Sequence, residues 1–190
     1  MDTGKEIVMT AVELFKEIGY NNTTIAMICQ KAKISKGTFY YHFSGKSDLI
    51  YAHIDSFMSN ISDVFPEILL LEDPKMQLWE LYKYSFENII AMNPNLLLAL
   101  YKTDIENKLK VLSPSRRGNY MYHTNSFAKM VLSLVKKCQD IGSVTKQIPA
   151  QNLITAFESA VIGTGLDWAC TNGEYNEVDR LRLIFDSIFR

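Results

Sequence analysis

Apolar residues recur every three or four positions along this chain, and nowhere do they alternate over a strand-length run. That period belongs to the α-helix, in which residues three and four apart share a face; a half-buried strand requires alternation instead. In the first segment Ile7, Ala11, Leu14, Phe15 and Ile18 fall on one stripe, which a helix can bury while its remaining faces stay wet. The chain is therefore expected to be all-α, with about nine helices set off by glycine, proline and cap residues.

The punctuation fixes where those helices begin and end. Thr3 followed by Glu6 has capping-box spacing, and Gly19 ends the first helix because it tolerates a backbone other residues avoid. Thr23 or Thr24 starts a short second helix through about Ala32, and Ser35 caps a third that runs to about Tyr41. A longer helix from Ser44 to Lys46 onward carries Leu49, Ile50, Ile54, Phe57 and Ile61 inward and ends near Pro66. Asp73–Pro74 and Asn93–Pro94 each join a cap residue to a proline suited to the first helical position. A loop is expected over 111–118, then helices ending at Asp140, spanning 149–171 and spanning 177–190.

Composition excludes several classes. Of 190 residues 47% are apolar and 22% charged, with a net charge of −1; this is globular composition, enough for one domain or two small ones. The apolar run "NLLLALY" falls far short of the roughly 18 to 20 residues of a membrane span. The acid-bearing start "MDTGKEIVMTAVELF" lacks the continuous apolar core of a signal peptide, so a cytoplasmic protein without membrane contact is expected. Cys29, Cys138 and Cys170 form no CxxC and read as small buried apolar side chains; His42, His53 and His123 are scattered. No metal or cofactor site is expected, and no Ser/His/Asp or Cys/His set supports an enzyme. "GTG" at 163–165 follows no strand, so it is no phosphate loop.

One stretch stands apart. "TTIAMICQKAKISKGTFYYHFSGKSDL" (23–49) holds Lys31, Lys33, Lys36 and Lys46, and no acid lies between Tyr20 and Asp48. A near-neutral total thus hides a local +4 patch, the footprint of a polyanion site or else a solvated lysine face. Two short helices with a three- or four-residue turn make a helix-turn-helix, whose second helix enters a major groove. Ile25, Ile28, Cys29, Ala32 and Ile34 suit the inner contacts, and Phe39 and Phe43, four apart, anchor the third helix. Its other face then carries Lys36, Gly37, Thr38, Tyr40, Tyr41 and His42. Lysine and threonine suit phosphate or base edges, tyrosine hydroxyls reach phosphate, and a mid-helix glycine suits close approach of a backbone. Lys46, at the start of the next helix, reads as another phosphate contact.

The motif "LFKEIGYNNTTIAMICQKAKISKGTFYYHFSGKSDL" resembles the DNA-binding signature of the TetR family of transcriptional regulators over about residues 3–50. Two departures are Lys33, where glycine is usual in the turn, and Cys29, where alanine is usual; Lys33 adds a candidate phosphate contact. The resemblance implies that Lys36, Gly37 and Thr38 approach bases, while Thr24, Ser35, Tyr40, Tyr41, His42 and Lys46 meet phosphates. Thr24 and Ser35 serve equally as helix caps, and one tyrosine could pack in the core.

The resemblance also implies a division of the chain into a helix-turn-helix domain (1–46) and a helical effector-binding and dimerisation domain (47–190). It further implies two C-terminal helices pairing with their copies in a homodimer, which would carry two reading heads to a palindromic operator on double-stranded DNA. Gly163 and Gly165 in a long apolar helix, and the stripe Val178, Leu181, Ile184, Phe185 and Ile188, suit such an interface. Trp79, Tyr82, Tyr101, Tyr122, His123, Phe127 and Trp168, with Met76 and Met130, are candidates to line a pocket for a small hydrophobic effector, ordinary core packing being the alternative for each. Asp104, Glu106 and Glu158 read as solvent-facing carboxylates before partners of a cationic ligand. A ligand-responsive repressor is the expected function. An activator, or a helical adaptor without DNA binding, is the alternative, and the acid-free basic stretch speaks against the adaptor.

Overall fold

The computed structural model describes residues 2–106 and 125–190, which form ten helices and, among the described residues, no strand. They are α1 (Thr3–Ile18), α2 (Ile25–Lys31), α3 (Lys36–His42), α4 (Lys46–Ser59), α5 (Ile61–Ile68), α6 (Pro74–Ile90), α7 (Pro94–Glu106), α8 (Asn125–Asp140), α9 (Ala150–Cys170) and α10 (Glu177–Ile188). The loop expected over 111–118 lies outside the described residues.

Most boundaries follow the punctuation. Thr24 caps α2 by accepting from Met27 N (3.2 Å), Ser35 caps α3 by accepting from Thr38 N (3.0 Å), and Asp73 caps α6 with Pro74 in its first turn. Asn93, at φ 68°, accepts from Leu96 N at 3.0 Å to open α7. Gly19 ends α1 at φ 85° and ψ 153°, a region closed to residues with a Cβ. Two boundaries differ. The cap of α1 is Asp2, which accepts from Gly4 N (3.0 Å), so Thr3 lies inside the helix. The single long helix expected from residue 46 to Pro66 is two, because the chain turns at Asn60 and restarts as α5 with Pro66 inside it. Pro66 forfeits only one backbone donor there, two residues from the helix end.

α1, α2 and α3 close on a small core of Ile7, Ala11, Phe15, Ile28 and Phe39. α4 packs against α1 on one side and against α6 and α7 on the other. The larger core is aromatic. Tyr82 and Phe86 of α6, Phe157 of α9, and Phe185 with Phe189 at the end of α10 interlock, with ring centroids 4.8 to 6.0 Å apart. Each such ring buries a large apolar area and prefers tilted or edge-on neighbours.

Candidate nucleic-acid interface and interior cavity

The turn between α2 and α3 is a Schellman motif. Lys33 N donates to Gln30 O (3.2 Å) and Ile34 N to Cys29 O (3.0 Å), with Lys33 itself at φ 54°. A lysine therefore holds the left-handed position usually filled by glycine, at a strain of about 1 kcal/mol, and its side chain is exposed. The turn sets α3 so that Phe39 is fully buried while Tyr40 and Tyr41 stand 56% and 85% exposed. Phe43 is half-buried beside Phe39, with centroids 6.0 Å apart.

Around that exposed face lie Thr24, Lys33, Ser35, Lys36, Gly37, Tyr40, Tyr41 and His42, all exposed, with Thr38 half-buried. Neither tyrosine packs in the core. Thr24 and Ser35 both act as helix caps, and the Ser35 and Thr38 hydroxyls lie 2.9 Å apart in a mutual hydrogen bond. A Cβ added at Gly37 would meet nothing nearer than Ser35 Oγ at 3.5 Å, so the fold itself has room for a side chain there.

Two of the four lysines are engaged within the chain. Lys31 Nζ lies 3.1 Å from Glu17 and 3.4 Å from Glu13, carboxylates that precede the acid-free stretch in sequence but fold against it on α1. Their contact holds the Lys31 ammonium above its ordinary pKa. Lys46 Nζ, expected on phosphate, instead donates to Tyr20 O and to Thr23 O (2.9 Å) and sits 4.1 Å from the centroid of the Tyr20 ring. Burial lowers its pKa. Two carbonyls left free at the α1–α2 turn explain this placement: they need donors, and a lysine at the start of α4 is within reach. Lys33 and Lys36 form no ion pair among the described residues.

The expected pocket residues separate into two groups. Trp79, Tyr82 and Phe127 belong to the aromatic core, at 5%, 0% and 0% exposure, because α6 and α8 pack directly together. Tyr101 and Trp168 do line a cavity, of about 40 Å³, between α6, α7, α9 and α10. Tyr122 and His123 lie outside the described residues. The cavity walls are otherwise aliphatic or aromatic except for Glu177, the first residue of α10, which is 4% exposed. Neither Glu177 carboxylate oxygen has a hydrogen-bond partner among the described residues. The Thr164 and Tyr175 hydroxyls are near enough to ease its charge, yet burial dominates and pushes the carboxyl pKa up. Both hydroxyls donate elsewhere, Thr164 to Ala160 O (3.0 Å) and Tyr175 to Thr164 O (3.2 Å) and Asp167 Oδ2 (3.0 Å). Sequence reasoning placed Glu177 at the start of the last helix without assigning it a role. Its position four before Leu181 and eight before Phe185, on the buried stripe, was the available signal. Asp104, read as solvent-facing, is fully buried on α7, whereas Glu106 is exposed.

The expected interface residues also divide. Leu181 and Phe185, at 1% and 0% exposure, are filled by the chain's own core, Phe185 against Trp79 (5.3 Å) and Phe157 (5.5 Å). Gly165 serves a contact within the chain: its missing Cβ would stand 2.6 Å from Tyr101 Oη, which donates to Ile162 O at 3.1 Å. Gly163 has nothing within 4 Å of a Cβ, and Ile184 and Ile188 are half-buried. Exposed beside them are Ala156, Ser159, Leu166 and Cys170 on α9 and Leu183 on α10; Cys170 is thus open where a buried thiol was expected.

A short exposed helix, capped by serine, anchored by a buried phenylalanine and attached to a larger helical body, defines a helix-turn-helix protein with a companion helical domain. Residues 7–52 match the family model described as bacterial regulatory proteins, tetR family. It is 26% identical over 132 residues to YuxN of Bacillus subtilis (strain 168), described as an uncharacterized HTH-type transcriptional regulator; the match spans 64% of this chain and 43% of YuxN, less than half of that protein. Over 148 residues it is 25% identical to the HTH-type transcriptional repressor KstR2 of Rhodococcus jostii (strain RHA1), covering 77% of this chain and 70% of KstR2. The fold resembles that of Thermus thermophilus FadR, a TetR-family transcriptional repressor solved with lauroyl-CoA, at a TM-score of 0.72 and 18% identity, covering 97% of this chain and 92% of FadR. These relatives are regulators, not enzymes. No helix among the described residues is long and apolar enough to cross a membrane.

Proposed function

We propose that the protein is a sequence-specific, DNA-binding transcriptional regulator, acting as a homodimeric repressor on a palindromic operator and relieved by a small effector. The observation that carries this is the exposed face of α3, where Lys36, Tyr40 and Tyr41 stand outward while Phe39 is wholly buried. Gly37 supports it further. A mid-helix glycine costs about 1 kcal/mol relative to alanine, and the fold does not require it, so an external surface coming close accounts for it best. Lys33, Lys36, Tyr40, Tyr41 and His42 would meet phosphates or bases from this face. In this reading Thr24, Ser35 and Lys46 hold the reading head in shape, and Thr38 reaches the DNA only by opening its bond to Ser35. Residues 1–46 act as the reading unit and 47–190 as the effector and pairing unit.

The open surface of α9 around Gly163 and Leu166, with Leu183 of α10 at 70% exposure, is the proposed contact between two copies. Two-fold pairing there would duplicate α3 for two successive half-sites. α7 offers the path between cavity and reading head. Leu97, Leu100 and Tyr101 line the cavity, and Thr103, on the same helix, lines the cleft that also holds Tyr20 and Lys46. A gel shift on the DNA upstream of the protein's own gene, run across a salt series, tests the proposal. Binding that weakens steeply with salt is expected, since phosphate contacts release counterions; absence of binding, or a flat salt response, would refute it.

A further inference from the structure

We propose that the α6/α7/α9/α10 cavity binds a protonated amine carried on a compact apolar body, with Glu177 as its counter-ion; this rests on the effector-pocket role proposed above. The wall formed by Ile90, Leu97, Tyr101, Val161 and Trp168 is apolar, and Tyr101 already donates its hydroxyl to Ile162 O. Glu177 is the single acid or base on that wall among the described residues, and both of its oxygens are shielded from solvent without a partner there. A carboxylate so placed demands either a proton or a cation.

Among the described residues no cation is paired with Glu177. Arg180, the nearest on α10, is bound to Asp167 at 2.7 Å and lies over the Tyr175 ring at 4.7 Å. Arg182 is bound to Asp186 at 2.7 Å and covers the Trp79 ring. The backbone amides at the start of α10 offer partial relief only, since Asn176 already accepts from Val178 N and Asp179 N. A donor that arrives with the ligand completes the site, and an anionic head of the acyl-carboxylate kind would be repelled from it. At about 40 Å³ the cavity holds an amine head and a few further atoms; a longer apolar tail has to part α7 from α9 at the Gly165–Tyr101 contact.

The test is calorimetric titration of the full-length protein at pH 7 with hexylamine, hexanol and hexanoate, on wild type and Glu177→Gln. Wild type should bind hexylamine at least about tenfold more tightly than hexanol and should reject hexanoate, and Glu177→Gln should reduce the amine preference to about threefold or less. Circular dichroism and thermal melting of Glu177→Gln establish that the variant is folded. Equal binding of the three probes, no binding of hexylamine, or a preference that survives Glu177→Gln would each overturn the proposal. The gel shift of the same preparation without amine reports separately on DNA binding, so loss of the amine site and loss of the regulator reading are distinguishable.

Discussion

Replacing Lys46 by methionine separates a brace from a DNA contact. The methionine keeps an apolar stem but removes the ammonium that joins Tyr20 O, Thr23 O and the Tyr20 ring. Hydrogen bonds from a charged donor contribute about 1.5 to 3 kcal/mol each, and a cation over a partly exposed ring about 0.5 to 1 kcal/mol. Against this stands the desolvation that lowers the Lys46 pKa. A net loss of about 2 kcal/mol is expected, or a fall in Tm of about 4 to 8 °C for a chain of this size. DNA affinity should fall as the α1–α2 turn loosens, while the slope of log affinity against log salt stays unchanged. A lysine that neutralises phosphate would behave in the opposite way: its replacement would leave Tm unaltered and flatten the slope by about 0.9 per phosphate. That second pattern would refute the brace.

Four further perturbations follow from the same geometry. Gly37→Ala should raise stability by about 0.5 to 1 kcal/mol in urea denaturation and weaken operator binding in the gel shift; unchanged affinity would mean that nothing approaches the helix there. Glu177→Gln should stabilise the protein by about 1 to 3 kcal/mol at pH 7. The Glu177 carboxyl pKa is raised by burial, with Asp167 adding to the rise and Arg180 opposing it, so wild type loses stability as pH climbs from the ordinary glutamate range through the raised folded value. The advantage of glutamine should therefore vanish near pH 4, and an advantage that persists there in thermal melts would contradict the assignment. Gly165→Ala should cost about 1 kcal/mol through its clash with the Tyr101 hydroxyl and be rescued by Tyr101→Phe. Gly163→Ala should leave the protomer intact but weaken self-association in sedimentation equilibrium.

What the sequence made legible was local. Caps at Thr24, Ser35, Asp73 and Asn93, and the anchoring of α3 by Phe39, depend on residues within four positions of one another. Most of the misreadings are contacts between distant segments. Glu13 and Glu17 meet Lys31 only once α1 and α2 fold together, and Lys46 finds carbonyls more than twenty residues upstream. The stripe on α10 was real, but periodicity could not say whether the chain's own core or a second copy would cover it. Trp79 and Phe157 cover Phe185, which leaves the outward face to Leu183. The split of α4 from α5 escaped notice because the apolar spacing continues across Asn60.

The smallness of the cavity bears on how a ligand could switch such a protein. A site already open and large would bind its ligand without favouring either of two conformations, and a ligand with equal affinity for both shifts nothing. Here any tail beyond a few atoms needs α7 to move from α9, because Tyr101 and Gly165 are in direct contact. Binding energy is then available only in the parted state, which is the differential affinity that a population shift requires. α7 is a continuous helix from Pro94 to Glu106, so a displacement at Tyr101 would carry with it Thr103, which lines the same cleft as Tyr20 and Lys46. Tyr20 O is also held by Lys46, at the first residue of α4. The brace that shapes the reading head is therefore the place where a movement begun at the cavity would arrive, and Lys46→Met should weaken the response of DNA binding to ligand as well as the fold.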